Sequence, residues 1–193
     1  MPGRFFLIES IGGMDDPPRL NIAPGQEVIA LTSMGVQHMR WGMIPVGRMN
    51  ARGRPVMETI INARSETVFD KSAFADVKRA IVPASGWYEW TGAVRRKQPW
   101  RITRKDGALL YFAAIYDVWH GPGGVQVPQV ATITCAPSAD VRDIHHRMGV
   151  ILTENQLMQW FNDDDDPVKE LMKPFPDGRL RVEKADDVDW AGA

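Results

Sequence analysis

The apolar runs of this chain are short and interrupted, and that limits what it can fold into. Runs such as Ile81–Ala84 and Ala113–Ile115 end after a few residues, far short of the roughly 20 that a membrane-spanning helix needs. Most of the first two-thirds has the length and β-branched or aromatic content of strands. Arg4–Glu9, Val28–Leu31, Val36–Trp41, Arg79–Trp90, Trp100–Arg104, Ala108–Ala114 and Gln129–Cys135 are the candidates. Gly35 marks a turn between the second and third. Lys105-Asp106-Gly107 separates Trp100–Arg104 from Ala108–Ala114, and Asp-Gly between two such runs predicts a hairpin. Helical spacing is rarer. Ser65–Val77 carries Val68, Phe69, Phe74 and Val77. Thr153-Glu154-Asn155-Gln156 is a capping box ahead of Leu157, Trp160 and Phe161,. Val168–Met172 forms a short helical stretch between Pro167 and Pro174. The expectation is an α+β chain with a predominantly antiparallel, barrel-like β core and peripheral helices.

A chain of 193 residues is long enough to bury a real core,, and 44% hydrophobic with 24% charged residues excludes wholesale disorder,. It reads as one domain, 1–193, in which 153–193 is an acidic C-terminal helical and tail segment. The net charge of −1 conceals a split: residues 1–152 carry a net +5 and residues 153–193 a net −6. A mildly basic body is compatible with a nucleic-acid face, and a solvated acidic tail accounts for the same numbers. The single cysteine, Cys135, rules out an internal disulfide and fits a reducing compartment,. The N-terminal stretch lacks the apolar region of a signal peptide. Cytoplasm, no membrane association and a monomer are the expectations.

Several local clusters set reactive or base-reading side chains beside Gly or Pro. They are Asn21-Ile22-Ala23-Pro24, Arg40-Trp41-Gly42-Met43-Ile44-Pro45, and Asn62-Ala63-Arg64-Ser65-Glu66-Thr67. With them stand Val82-Pro83-Ala84-Ser85-Gly86-Trp87-Tyr88-Glu89-Trp90, Lys97-Gln98-Pro99, and His145-His146-Arg147-Met148. Six such motifs in this order resemble the SRAP family, whose members form covalent links to abasic sites in single-stranded DNA. The resemblance runs from residue 2 to about residue 161. Three positions depart from the family pattern. Pro2 stands where the family has cysteine, His146 where it has Asp, and Gly149 where a proline follows the methionine.

The chemistry that the resemblance implies depends on position 2. An abasic deoxyribose opens to an aldehyde, and a free α-amine condenses with it to a Schiff base. An N-terminal cysteine then closes a thiazolidine through its thiol. An α-amine suits the first step because its pKa, about 7.7–8.0, leaves a neutral fraction at pH 7 that lysine lacks. Pro2 has no thiol and cannot close that ring. With Met1 removed, its secondary amine can form an iminium that favours β-elimination; with Met1 retained, it is an inert amide. The alternative is a rigid residue without a nucleophilic role.

By the same resemblance, Glu89 assists opening of the sugar, His145 is the second acid–base group, and Asn62 hydrogen-bonds the adduct. Tyr88 and Trp90 flank Glu89 in sequence, a setting expected to desolvate it. Arg4, Arg64 and Arg147 match positions that hold phosphates. Trp41 beside Gly42 offers a face for a base, and Thr134 a hydrogen bond to the DNA backbone. The bland readings are surface ion pairs for the arginines, a core aromatic for Trp41, a strand carboxylate for Glu89, a surface loop histidine for His145 and a turn residue for Asn62. Cys135 reads as inert core, and Asp163–Asp166 as a solvated turn without calcium-loop spacing. No metal and no cofactor are expected. The partner is single-stranded DNA with an abasic site. Two further readings are a catalytically silent module that binds or senses single-stranded DNA, and a self-processing peptidase, which Pro2 disfavours.

Overall fold

The computed structural model describes residues 3–44, 52, 59–70, 74, 77–93, 96–162 and 164–191. Pro2, proposed above as the nucleophile, lies outside the described residues.

Two sheets share one core. The first has the order β13-β8-β7-β1-β2, from β1 (Arg4–Leu7), β2 (Arg19–Ile22), β7 (Gly86–Thr91), β8 (Gln98–Arg104) and β13 (Leu180–Lys184). The second runs β11-β10-β4-β3-β6-β9-β12. Its strands are β3 (Glu27–Thr32), β4 (Gly35–Trp41), β6 (Lys78–Ala84), β9 (Leu110–His120), β10 (Gln126–Cys135), β11 (Met148–Gly149) and β12 (Ile151–Leu152). Because β9 pairs with both β6 and β10, this sheet closes on itself. A short β5 (Asn62–Arg64) lies parallel to β10, which also pairs in parallel with β4; the other pairings are antiparallel. The α+β class with a mostly antiparallel β core is therefore what the chain adopts.

The run Arg79–Trp90 divides at Ser85, where the chain leaves the closed sheet as β6 and enters the five-stranded one as β7. Ser85 donates its N–H to the Phe6 carbonyl at 2.9 Å, and its Oγ accepts the Ile8 N–H at 2.8 Å. Gly86 follows because nothing larger fits. A Cβ there would stand 2.6 Å from both the Ile102 carbonyl oxygen and the Phe6 ring.

The Asp-Gly turn forms, but it does not make a hairpin. Gly107 takes φ +76 and Asp106 Oδ1 accepts the Ala108 N–H at 3.1 Å. The flanking β8 and β9 then go to different sheets. Arg104 braces this corner, donating to Asp106, the Leu109 carbonyl and Glu154. Turn chemistry set the reversal; which strand each arm pairs with was decided by burial.

The helix expected over Ser65–Val77 is absent from residues 65–70, which form turns. Val68 is fully buried all the same, so its apolar pattern reports core contact rather than helical period. The capping box at Thr153 is present in both directions and leads into α1 (Leu157–Asn162). Trp160 docks α1 by donating its indole N–H to the Ala80 carbonyl at 2.9 Å. A second short helix, α2, covers Asp165–Lys169. The acidic segment beyond residue 153 also contains β13, which pairs over its whole length with β8.

Candidate functional site

Along β7, alternation separates two sets of side chains. Trp87 points into the main core beside Phe112, and Tyr88 packs on the opposite face with Phe6 and Trp190. Glu89 is two residues from Trp87 and so shares its face. It is 4% exposed. Its burial is as expected, but Tyr88 and Trp90 are not the cause, because both lie across the strand. Burial raises the Glu89 carboxyl above its ordinary value; the amino-terminal charge and the Trp87 indole pull the other way. The chain's start runs alongside this position. β1 is antiparallel to β7 with Arg4 opposite Tyr88, so Gly3 follows on the side of Glu89.

A second group gathers where β5 lies against β10. Asn62, Ala63 and Arg64 stand opposite Thr132, Ile133 and Thr134. Asn62 is therefore a strand residue, not the turn residue of the bland reading, and its Oδ1 accepts the Thr132 hydroxyl. Arg64, next but one on the strand, is exposed. On the far side, β11 pairs with the same end of β10, Thr134 opposite Gly149. That pairing brings in the loop holding His145 and Arg147.

His145 is half-buried and held by its own loop. Its Nδ1 lies 3.0 Å from both the N–H and the carbonyl of Arg147, and its ring stacks on that of His146 at 4.3 Å. Burial lowers its pKa, the amino-terminal charge adds to this, and the Arg147 main chain opposes it. These causes together favour the neutral imidazole.

Four of the expected DNA contacts are engaged within the protein itself. Trp41 is fully buried, meets Phe5 edge-on at 5.0 Å and donates its indole N–H to the Ile61 carbonyl; it has no face for a base. Gly42 is buried beside it at φ +129, donating to the Val130 carbonyl. Thr134 is 1% exposed and gives its hydroxyl to the Ala63 carbonyl. Arg147 is tied inward by two bonds to Glu66, at 2.5 and 2.9 Å, and one to the Thr134 carbonyl. The arginine holds the Glu66 carboxyl at about 2. Glu66 and Thr132 are the partners that the sequence reading passed over. Both are polar residues inside or opposite one of the motifs, but only the folded geometry shows that they pair with Arg147 and Asn62.

Arg4 donates to Asn21 Oδ1 at 2.7 Å and is partly exposed. Cys135 is buried, and burial pushes its thiol up to about 12, which makes it unreactive, as expected,. Among the described residues no cluster of three or more His, Cys, Asp or Glu could hold a metal ion. No described helix is long and apolar enough to cross a membrane.

The sequence pattern of SOS response associated peptidase (SRAP) matches residues 7–188. The chain belongs to the SRAP family. Among its SRAP relatives is the abasic site processing protein YoqW of Bacillus subtilis. It is 34% identical over 169 residues, which are 82% of this chain and 74% of the relative. The abasic site processing protein HMCES of Gallus gallus is 32% identical over 159 residues, 70% of this chain but 47% of that longer protein. A solved structure of a Bacteroides thetaiotaomicron protein matches with a TM-score of 0.76 at 27% identity, over 87% of this chain and 78% of that one. The fold is thus shared with that structure over most of the chain.

Proposed function

We propose that this chain acts in the response to DNA damage by binding abasic sites in single-stranded DNA. The observation that carries the reading is Glu89, a buried carboxyl with a raised pKa on the strand along which the chain's start runs. A buried carboxyl whose pKa is raised by desolvation is suited to proton transfer to the sugar, which opening of the deoxyribose ring requires,. Asn62 and His145 serve the sugar from the β5–β10 side, and Arg4 and Arg64 hold phosphates. The names of the relatives, abasic site processing proteins, support the same substrate.

The chemistry at position 2 is limited to a Schiff base. Pro2 forms an iminium when Met1 has been removed, β-elimination follows, and no thiazolidine closes. Borohydride treatment of the chain with an abasic single-stranded oligonucleotide tests this. A trapped complex from chain lacking Met1, with strand cleavage in the untrapped sample, is the expected result. Binding without trapping by that same species supports the second reading, a silent SRAP module that binds single-stranded DNA, which Pro2 in place of cysteine favours. Equal affinity for abasic and intact strands contradicts abasic-site recognition itself. The chain acts as a single 1–193 unit, monomeric and cytoplasmic, in this proposal.

A further inference from the structure

The outer face of the five-stranded sheet, opposite Glu89, carries a row of side chains that a solvated sheet does not need. Arg4, Tyr88 and Arg101 stand directly opposite one another across β1, β7 and β8, and Glu183 on β13 ends the row. Trp90 lies two residues from Tyr88 on the same face. Two cations flanking aromatic rings on a strand surface are the ingredients of a single-stranded nucleic-acid platform, in which arginines meet phosphates and rings meet bases.

In this structure the platform is covered by the chain's own acidic segment, residues 185–190. Asp187 accepts two hydrogen bonds from the Arg101 guanidinium, both at 2.9 Å. Asp186 accepts from Gln98 at 2.9 Å. Asp189 reaches the Arg4 end, its carbonyl accepting the side-chain N–H of Asn21, which in turn binds Arg4. Trp190 meets Tyr88 at 4.9 Å and Trp90 at 5.1 Å, both edge-on. One carboxylate sits on the Arg101 guanidinium and an indole on the rings.

We propose that this outer face is a second contact surface for single-stranded nucleic acid, held in the free protein by the acidic segment as an internal mimic. The inference rests on single-stranded DNA being the ligand. The segment is suited to displacement. The three aspartates are exposed, the segment has no regular secondary structure, and the Asp187–Arg101 ion pair is of the exposed kind that contributes little,. A strand bound at Glu89 and leaving past Arg4 would meet it.

The test is fluorescence anisotropy with a labelled oligothymidylate at several salt concentrations. It compares the full chain with Asp186→Asn/Asp187→Asn/Asp189→Asn, which keeps Trp190 and its packing. The variant is expected to bind several-fold more tightly, with a salt slope steeper by about one unit for the released arginine. Asp164→Asn/Asp166→Asn/Glu170→Gln removes as much charge from exposed positions on the α2 side and controls for net charge. Adding Arg101→Gln to the first variant is expected to abolish its gain. Unchanged affinity, an equal gain in the control, or a gain that survives Arg101→Gln overturns the second surface. Salt-dependent binding by the full chain in the same titration leaves the proposed function standing in each of those cases. No binding by any of the proteins overturns both.

Discussion

Glu89 is the residue on which the reading turns, and its burial has two consequences with separate measurements. Replacing it by Gln keeps the shape and removes the proton, so adduct formation with abasic DNA should fall on the order of 10²-fold while affinity changes little. A parallel fall in affinity would make Glu89 structural. Its raised pKa also links to stability. The contribution is fully present below the ordinary carboxylate range and is lost as pH rises through the raised value,. Glu89→Gln should therefore compare more favourably with wild type in denaturant melts at pH 7 than at pH 4. Glu66 behaves in the opposite sense. Its pKa is lowered from an ordinary 4.5 to about 2 by Arg147, so its contribution is present above 4.5 and is lost as pH falls toward 2. Glu66 is exposed, so Glu66→Gln should cost about 1 kcal/mol or less at pH 7, vanishing in acid. The sequence showed the chemistry of these residues but not their surroundings. Trp41 read as a DNA contact because it sits beside Gly42, and Thr134 because the resemblance gave its hydroxyl a DNA-backbone partner; both are core residues engaged with backbone carbonyls.

Strands long enough to show a pattern were legible, and those set by partners alone were not. Val28–Leu31, Val36–Trp41 and Gln129–Cys135 fall inside β3, β4 and β10. β11 and β12 have two residues each, too few for any periodicity, and exist because β10 and β9 offer them edges. β5 has three residues just ahead of the stretch that read as a helix, too few to show a pattern, and it places Asn62. β13 alternates Leu180-Arg181-Val182-Glu183-Lys184 and was masked by the acidity around it. The β6–β7 junction is tightly packed at Gly86. Gly86→Ala puts a methyl against the Ile102 carbonyl and the Phe6 ring. It should destabilise the fold by about 1–3 kcal/mol, the usual cost of overpacking, read as a lower denaturation midpoint. An unchanged midpoint would mean that β7 has room to shift away from Phe6.

For the molecule as a whole, the charge split was visible in the sequence, while its geometry was not. The acidic C-terminal part is no detached tail. It supplies β13, and its last described residues lie on the outer face against Arg101, Tyr88 and Trp90. Binding through the body should weaken steeply with salt, and Arg64→Ala should flatten that slope by about one unit for all sequences alike. An unchanged slope would remove Arg64 from the phosphate path. The central claim is that Asn62, Glu89 and His145 form a pocket for an abasic sugar at the chain's start. Its most direct test is Pro2→Cys, with Met1 removed, incubated with an abasic single-stranded oligonucleotide and then heated in denaturant. The account predicts a heat-stable cross-link for Pro2→Cys and none for the wild-type chain without a reductant. A folded Pro2→Cys protein that forms no cross-link would contradict it.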